Sequence, residues 1–364
     1  MPGPLAGFRV VDLTRLYPGP YATLLLADLG AEIVKVEDVA EGDLLRGLPE
    51  QFEALNRGKR SIAIDLKARE GPGVLRRLCA RADVLIEGFR PGVLERLGCS
   101  PAALSAEFPR LVICSLTGFG QTGPLRGKAG HDIGYLALGG VLSRCGLGEA
   151  PALPGAQFAD FFGGGLQAVV AVLAALVERA ATGRGRALDV AMTEGAMQAL
   201  LPRLADPSSE DVLRGDRPCY RVYGCRGGGA VALGALEPKF WERFCTAVGR
   251  PDWEGQQFDP SLCPAVDELF LGRTRDEWVA LLEPADCCAE PVLRVEELAA
   301  HPQHLARSLW LRDGRPRSLP AVVETAQLPA ARAPRQGEHT DAVLREAGAS
   351  DEEISALRAA AVVR

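Results

Sequence analysis

Two side chains in this sequence have the residue types and surroundings needed to move a proton on and off carbon. His131 follows a glycine-rich loop in Gly130-His131-Asp132, and Asp160 stands just before the glycine run at 163–165. Both are expected at junctions between a loop and a helix, where an imidazole and a carboxyl group could reach one carbon from opposite faces. One would take a proton while the other gives one, as in an isomerase. The alternative is that His131 caps or packs a helix and that Asp160 is an N-cap.

A third candidate is Glu237, which stands between a predicted strand and a helix that opens with Pro238. A carboxylate at the start of a helix gains from the helix dipole, and that alone would account for it. It could also orient or polarise His131, as the third member of an acid-base constellation does. The sequence does not separate these two roles.

Cations follow several predicted strands. Arg15 and Arg90 each come just after a strand, and Lys59 lies in the run NRGKR at 56–60. In an open parallel sheet the ligand crevice lies beyond the carboxyl ends of the strands, so Arg15 and Arg90 could meet at one anionic site. This predicts a ligand that carries phosphate. Most arginines taken singly are solvated surface residues, which is the alternative.

The run GFGQTG at 118–123 matches the glycine pattern of a dinucleotide-binding turn. That turn requires a helix to start within it, so that the helix N-terminus faces the pyrophosphate. Here Pro124 and a basic loop at 126–128 follow instead, and no acidic residue occurs at the ribose-binding spacing in 136–144. We therefore do not expect this loop to bind NAD or FAD.

The elements that must position these groups alternate between strand and helix. Apolar segments at 8–13 and 31–37 flank a helix at 18–29 that opens with proline and closes with glycine. The rhythm continues with strands at 61–66, 83–87, 111–116 and 187–192 and with helices near 71–80, 91–97, 101–107 and 193–201. Strands that alternate with helices predict an α/β fold with a large, open, Rossmann-like parallel sheet and right-handed crossovers.

The pattern changes after residue 200. We expect a large α/β domain at 1–200, a linker at 201–219 rich in proline and aspartate, and a small α+β domain at 220–308. The small domain contains a predicted hairpin, with strands at 220–225 and 230–236 around three glycines, and helices at 238–248, 265–271 and 275–282. A second linker at 309–336 leads to helices at 339–347 and 351–360, within a segment 337–364 that returns to the large domain.

Composition narrows the class of protein. The 364 residues are 47% hydrophobic and carry a net charge of −6, which argues against a nucleic-acid surface. Ten cysteines without a Cys-x-x-Cys pair indicate reduced thiols in a cytoplasmic protein rather than disulfides or a zinc site. The N-terminus shows no secretory signal. The longest apolar run, 166–177, is too short to cross a bilayer and predicts a buried helix, so we expect no membrane partner.

Many separate motifs, in order along nearly the whole chain, give the sequence a family resemblance. It resembles the α-methylacyl-CoA racemases of the family III CoA-transferase superfamily. The motifs that carry the resemblance are Gly19-Pro20 with ADLGA at 27–31, NRGKRS at 56–61, FRPGV at 89–93, the loop 118–124, GHDI at 130–133, ADF at 159–161 with the glycines 163–165, residues 234–240, and GEHT at 337–340.

The resemblance implies an interlocked homodimer whose active site lies between the large domain of one chain and the small domain of the other. It implies that His131 and Asp160 are the two bases and that Glu237 serves the partner's His131. Arg15, Lys59 and Arg90 would lie near the CoA phosphates, and Asp132 and Tyr135 would also bind the CoA substrate. It further implies that no metal, flavin or pyridoxal phosphate takes part, since CoA belongs to the substrate.

The expected reaction is the interconversion of (R)- and (S)-2-methylacyl-CoA thioesters through an enolate. The nearest rival is a CoA-transferase of the same superfamily, in which Asp160 is a nucleophile that forms an anhydride with the acyl group. A nucleophilic mechanism needs no histidine base, so His131 together with Glu237 favours racemisation. A rival of another class is a non-catalytic acyl-CoA-binding protein, and a dehydrogenase is third. The stretch 202–218 is shorter and less glycine-rich than the corresponding linker of the family, and the acyl specificity is not set by the motifs.

Overall fold

The described chain divides into two units by its contacts. The computed structural model describes residues 3–147, 150–208, 211–311, 314–318 and 332–364. The first unit comprises the described parts of Met1–Val141, Gly155–Leu201 and Leu311–Arg364, and the second those of Leu142–Pro154 and Pro202–Trp310. The sequence analysis assigned 142–154 to the large domain. By its contacts this segment instead groups with the second unit, in which Arg144 forms an ion pair with Asp211.

The first unit is built on a parallel sheet of six strands in the order β3-β2-β1-β4-β5-β6. The strands are β1 (Arg9–Leu13), β2 (Glu32–Glu37), β3 (Arg60–Ala63), β4 (Val84–Glu87), β5 (Val112–Thr117) and β6 (Ala187–Ala191). This confirms the predicted open parallel sheet. The strand order reverses between β1 and β4, and the crevice beyond the carboxyl ends of such strands is where open α/β sheets bind their ligands.

Helices lie between the strands of this sheet and after the last strand. Those between strands are α1 (Pro18–Asp28), α2 (Pro49–Asn56), α3 (Gly71–Cys79), α4 (Val93–Arg96), α5 (Pro101–Glu107), α6 (Asp132–Leu138) and α7 (Gln167–Thr182). After β6 follow α8 (Met192–Met197) and α9 (Leu201–Ala205), and α9 belongs to the second unit from Pro202 onward. The core includes Val11, Leu85 and Ile113, all almost completely buried. Central strands covered on both faces explain why their sequences are apolar throughout rather than alternating.

A π-helix, Ala159–Leu166, precedes α7 without a break. The combined helix Ala159–Thr182 is long and apolar enough to cross a membrane by length and composition alone, with 44% of its most apolar window buried. Core helices of soluble proteins meet the same criterion, so this is weak evidence for a membrane span. The prediction of a buried helix at 166–177 is wrong for one face, because Leu166, Val170 and Val177 are exposed.

The second unit contains a three-stranded antiparallel sheet in the order β7-β8-β9. Its strands are β7 (Tyr220–Gly224), β8 (Ala230–Gly234) and β9 (Ala289–Pro291), and its helices are α10 (Pro238–Ala247), α11 (Cys263–Leu271), α12 (Arg275–Leu282) and α13 (Pro302–Ala306). The predicted hairpin is confirmed. Gly227, Gly228 and Gly229 all have positive φ, a conformation that glycine adopts at little steric cost. Trp241, Trp253 and Trp278 form an aromatic core with Tyr223 and Phe270, whose rings stack at 4.6 Å.

The C-terminal segment returns to the first unit. It forms α14 (Thr340–Glu346) and α15 (Asp351–Ala359), and it packs beside β3. The His339 amide donates to the Ser61 carbonyl at 2.8 Å, and Val363 forms a bridge with Ile64. Of the expected second linker, residues 312–313 and 319–331 lie outside the described residues.

The close approach of α8 to the π-helix can be tested with Gly195→Ala. A Cβ at Gly195 would collide with the Gly163 main chain, so we expect a loss of about 1–3 kcal/mol in the free energy of unfolding. The control is Gly73→Ala in α3, where a Cβ meets no atom within 4 Å and the better helix propensity should leave stability equal or higher by about 0.5–1 kcal/mol. Urea denaturation measures both, and equal stability of the two variants would contradict the packing described.

Candidate active site

Two exposed arginines lie at the carboxyl edge of the sheet beside the strand-order reversal. Arg15 follows β1 and Arg90 follows β4, and these strands are neighbours in which Leu13 pairs with Glu87. Among the described residues neither guanidinium has an ion-pair partner. The structure therefore brings both side chains to one edge of the sheet, as expected from their positions after the strands, and leaves both able to contact a phosphate.

Lys59 does not join them, which corrects the expectation that it lies near the CoA phosphates. Its side chain is fully buried. The ammonium donates to the Pro20 carbonyl at 2.9 Å, to Thr23 Oγ1 at 2.7 Å and to Asn56 Oδ1 at 2.9 Å, and Asp12 lies 3.5 Å away. Burial lowers the pKa of Lys59 to about 7 against the opposing charge of Asp12. The sequence shows a cation near a strand, but not the acceptors that converge on it in the interior.

His131 is the residue immediately before α6, and its side chain is exposed. It occupies the N-cap position with extended backbone, yet its side chain makes no capping hydrogen bond. It also does not pack in the core. The structure thus removes both alternatives considered for His131, capping and packing, and leaves an imidazole available for chemistry.

Asp160 lies in the first turn of the π-helix and is 8% exposed. It is not an N-cap, since Phe158 holds that position. Its amide donates to Asp132 Oδ1 at 2.8 Å. Burial, together with the charge of Asp132, raises the pKa of Asp160 to about 7. Among the described residues no donor contacts the Asp160 carboxyl oxygens, so this group is free to exchange a proton near neutral pH.

Three glycines allow the π-helix to pack tightly. A side chain on Gly163 would lie 2.7 Å from the Met192 carbonyl oxygen, and one on Gly165 would lie 2.7 Å from the Tyr21 ring; one on Gly164 would also collide with Met192. The π-helix therefore packs against α8 and α1 at distances that only glycine permits. Sequence reasoning did not find this π-helix. The signal that could have indicated it was the glycine run at 163–165 inside an otherwise helical apolar pattern. Short π-helical segments within α-helices are frequent at functional sites.

The loop 118–130 is shaped around Tyr135 rather than around a dinucleotide. A side chain on Gly118 or Gly130 would collide with the Tyr135 ring, and Phe119 contacts that ring edge-on at 5.2 Å between centroids. Burial, and after it the charge of Asp160, raises the pKa of Tyr135 to about 12, while the charge of Arg90 opposes that rise. The next helix after the loop is α6, which agrees with the expectation that no pyrophosphate-binding helix starts here.

Glu237 belongs to the second unit, where it is the N-cap residue of α10. Its side chain is exposed and makes no capping hydrogen bond. Its position at the start of α10 agrees with the simpler of its two predicted roles, stabilisation by the helix dipole, although the carboxylate makes no capping hydrogen bond. His131, Asp132, Tyr135, Asp160 and the two arginines all belong to the first unit.

The first unit defines a class of protein. It is an open α/β domain that joins an exposed imidazole, a buried carboxyl group and two unpaired arginines around the carboxyl edge of its sheet. Such a site suits acid-base chemistry on a substrate with an anionic handle.

The chain belongs to CoA-transferase family III, whose family model matches residues 5–340. The alpha-methylacyl-CoA racemase of Mus musculus is 40% identical to it, with 99% of this chain and 97% of that protein covered, and the one of Homo sapiens is 38% identical with the same coverage. The crystal structure of a CAIB/BAIF family protein from Brucella suis superposes with a TM-score of 0.81 at 31% identity, covering 95% of this chain and 100% of that one. The family resemblance is confirmed, as is the α/β fold with its large parallel sheet and small antiparallel sheet.

The raised pKa of Asp160 implies a cost in stability. An ordinary aspartate has a pKa near 4, whereas this one has a pKa of about 7. Between these values the folded protein holds a proton that the unfolded chain has lost, so stability falls as pH rises through this range. We expect Asp160→Asn to raise the melting temperature at pH 8, by about 2–4 °C for each kcal/mol recovered, and to raise it less at pH 5.

Calorimetry of the wild type and Asp160→Asn at the two pH values measures this difference. The control is Glu194→Gln, which removes an exposed carboxylate from α8. It should have the wild-type melting temperature at both pH values. An Asp160→Asn variant that melts at or below the wild-type temperature at pH 8 would contradict the described burial.

Proposed function

We propose that this protein is a racemase that interconverts (R)- and (S)-2-methylacyl-CoA thioesters by removing and returning the α-hydrogen. The observation that carries the proposal is the pairing, in one unit, of the exposed His131 imidazole with the buried Asp160 carboxyl, joined through Asp132. The identity with the racemases named above supports the same reaction. A CoA thioester is the substrate class, and we propose that no separate cofactor is needed.

Two opposed bases account for both directions. In one direction an imidazole nitrogen of His131 takes the α-hydrogen, the C–H electron pair forms the enolate double bond, and the negative charge moves to the thioester oxygen. The protonated Asp160 then donates its proton to the opposite face of the α-carbon. The other enantiomer follows the reverse path. A carboxyl group with a pKa of about 7 is populated in both protonation states near neutral pH, as this cycle requires.

The enolate oxygen needs hydrogen-bond donors, because the α-hydrogen of a thioester is too weakly acidic for an unaided imidazole or carboxylate. Amides near Asp160 are already engaged: the Asp160 amide donates to Asp132, and the Phe161 amide to the Gln157 carbonyl at 3.3 Å. At the start of α6 the Gly134 amide donates to the His131 carbonyl at 2.8 Å, whereas the described residues supply no acceptor for the Asp132 and Ile133 amides. We therefore assign the oxyanion to the start of α6, where preorganised donors are worth on the order of 3 kcal/mol each.

The same proposal assigns the CoA phosphates to Arg15 and Arg90. Both guanidinium groups are exposed at the carboxyl edge of neighbouring strands. An arginine presents a fixed fork of donors that matches a phosphate group. The charge of Arg90 also acts on Tyr135, so the proposed phosphate-binding arginines and the proposed acid-base residues influence the same tyrosine.

We further propose a homodimer in which Glu237 of one chain serves His131 of the other. The π-helix and α7 expose apolar side chains at about every fourth position, namely Phe158, Phe162, Leu166, Val170 and Val177, the last 73% exposed. A contiguous apolar surface of this kind marks an interaction site, and a second copy of this chain is the partner that the family resemblance implies. Glu237 supports the arrangement because its carboxylate is exposed and does not cap its own helix.

We propose that the enzyme acts in lipid metabolism in the cytoplasm. None of its ten cysteines, all of them within the described residues, forms a disulfide, which suits a reducing compartment.

Isotope exchange tests the reaction. A single-enantiomer 2-methylacyl-CoA incubated with the protein in deuterated water should gain deuterium at the α-carbon while its optical purity falls. His131→Ala should slow both deuterium incorporation and loss of optical purity by about 100-fold or more, since general acid-base groups typically contribute that much. Transfer of CoA between carboxylic acids without exchange would instead identify a transferase with Asp160 as nucleophile. Binding without either reaction would identify a non-catalytic acyl-CoA-binding protein.

Mixed dimers test the shared site. His131→Ala and Glu237→Ala chains carrying different affinity tags are co-expressed, and the mixed dimer is isolated through both tags. One of its two sites is then intact, so we expect about half of the wild-type activity, while each parent dimer is inactive.

The matched control is the mixed dimer of His131→Ala with Asp160→Ala. These residues belong to the same unit of one chain, so neither site is intact and no activity should return. Inactivity of the first mixed dimer would contradict a site shared between chains.

A further inference from the structure

Asp132 connects the two candidate bases directly. It follows His131 in sequence, and its Oδ1 accepts the Asp160 amide at 2.8 Å. The residue is 8% exposed. It lies in the first turn of α6, while Asp160 lies in the first turn of the π-helix. One buried side chain thus joins the starts of the two helices that carry the chemistry.

The charge of Asp132 requires an explanation that the hydrogen bond does not give. An asparagine would accept the same amide proton without burying a negative charge, and burying a carboxylate is costly unless it is well paired. Among the described residues, the hydrogen-bond donor to its side chain is the Asp160 amide. The dipole of α6 offsets part of the cost, because Asp132 lies in the first turn of that helix. Neither contact explains why the charge is held beside the start of the π-helix that carries Asp160.

Other ionisable groups around the π-helix have different surroundings. Tyr135 on α6 interacts electrostatically with Asp160, and Arg90 interacts with Tyr135. On α8 Glu194 is exposed, and on β6 Asp189 accepts the Gln121 amide at 3.0 Å. Tyr17, the residue before α1, and Tyr21 in α1 both contact the Phe161 ring. Burial is the largest cause of the raised pKa of Asp160, and the charge of Asp132 is the second.

We propose that Asp132 is a positioning residue that aligns Asp160 with His131 through the Asp160 main chain and presents a second negative charge to the Asp160 carboxyl. This inference rests on the proposed function and deepens it. Its consequence is that Asp160 spends part of each cycle as a neutral acid able to return a proton. It also replaces the expectation that the Asp132 side chain binds the CoA substrate, because that side chain is committed to Asp160.

Two substitutions separate the hydrogen bond from the charge. Asp132→Asn keeps an acceptor for the Asp160 amide, so the melting temperature and the KM for the acyl-CoA should stay near wild type. The ionisation of Asp160 in the kcat profile should move down by about one pH unit. Asp132→Ala removes the acceptor as well, and misplacement of Asp160 should lower kcat by about 100-fold in both directions. Glu194→Gln on α8 is the control and should keep the wild-type profile.

The outcome of each measurement bears on the proposal. A profile for Asp132→Asn that coincides with those of the wild type and Glu194→Gln would overturn it. So would a rise in KM with unchanged kcat, which would mean that the Asp132 side chain binds the substrate. A downward shift with KM retained supports it.

A second readout does not depend on turnover. The titration of Asp160 is followed by NMR of protein carrying carboxyl-labelled aspartate, in wild type and in Asp132→Asn, with Asp160→Asn to assign the signal. A lower Asp160 midpoint in Asp132→Asn supports the inference, and an equal midpoint overturns it. Absence of α-hydrogen exchange by the wild type would instead count against the proposed function, so the two failures are distinguishable.

Discussion

The hydrogen bond from the Asp160 amide to the Asp132 carboxylate is the contact on which the site depends. It fixes the start of the π-helix to the start of α6, and each of these points carries one candidate base. The π-helix can approach α8 and α1 closely because residues 163–165 are glycines, where any side chain would collide with those helices. Removing the glycines or the carboxylate would act on the same quantity, the position of Asp160 relative to His131.

The free energy of the fold and the chemistry of the site are opposed at Asp160. A buried carboxyl group whose pKa is about 7 lowers the free energy of unfolding above pH ~4, and the loss is complete once the group is ionised in the folded chain. The same property makes it an acid and a base of nearly equal strength near neutral pH, which is what reversible proton transfer requires. The nearby sheet supplies the rigidity that keeps this arrangement, since its central strands are buried on both faces and their ends cannot move independently.

The interior of the first unit also holds charges that take no part in the site. Lys59 is surrounded by Asp12, Thr23 and Asn56, and Asp28 makes a two-pronged ion pair with Arg57 at 2.7 and 2.6 Å. Buried ions of this kind are satisfied by several partners each, because an unpaired buried charge costs several kcal/mol. In sequence they are indistinguishable from the exposed arginines Arg15 and Arg90. Only the number of acceptors around each cation separates the two groups.

The sequence by itself determined the parallel sheet and the antiparallel hairpin and singled out the two candidate bases, because strand periodicity, proline and glycine punctuation and the motif around His131 are local properties. The tertiary structure alone decided that Lys59 is interior, that one face of α7 is exposed, and that Asp160 begins a π-helix joined to Asp132. Each of these depends on what packs against a residue from far along the chain. Burial and the approach of a second charge set the pKa of Asp160, and neither quantity is encoded in the residues next to it.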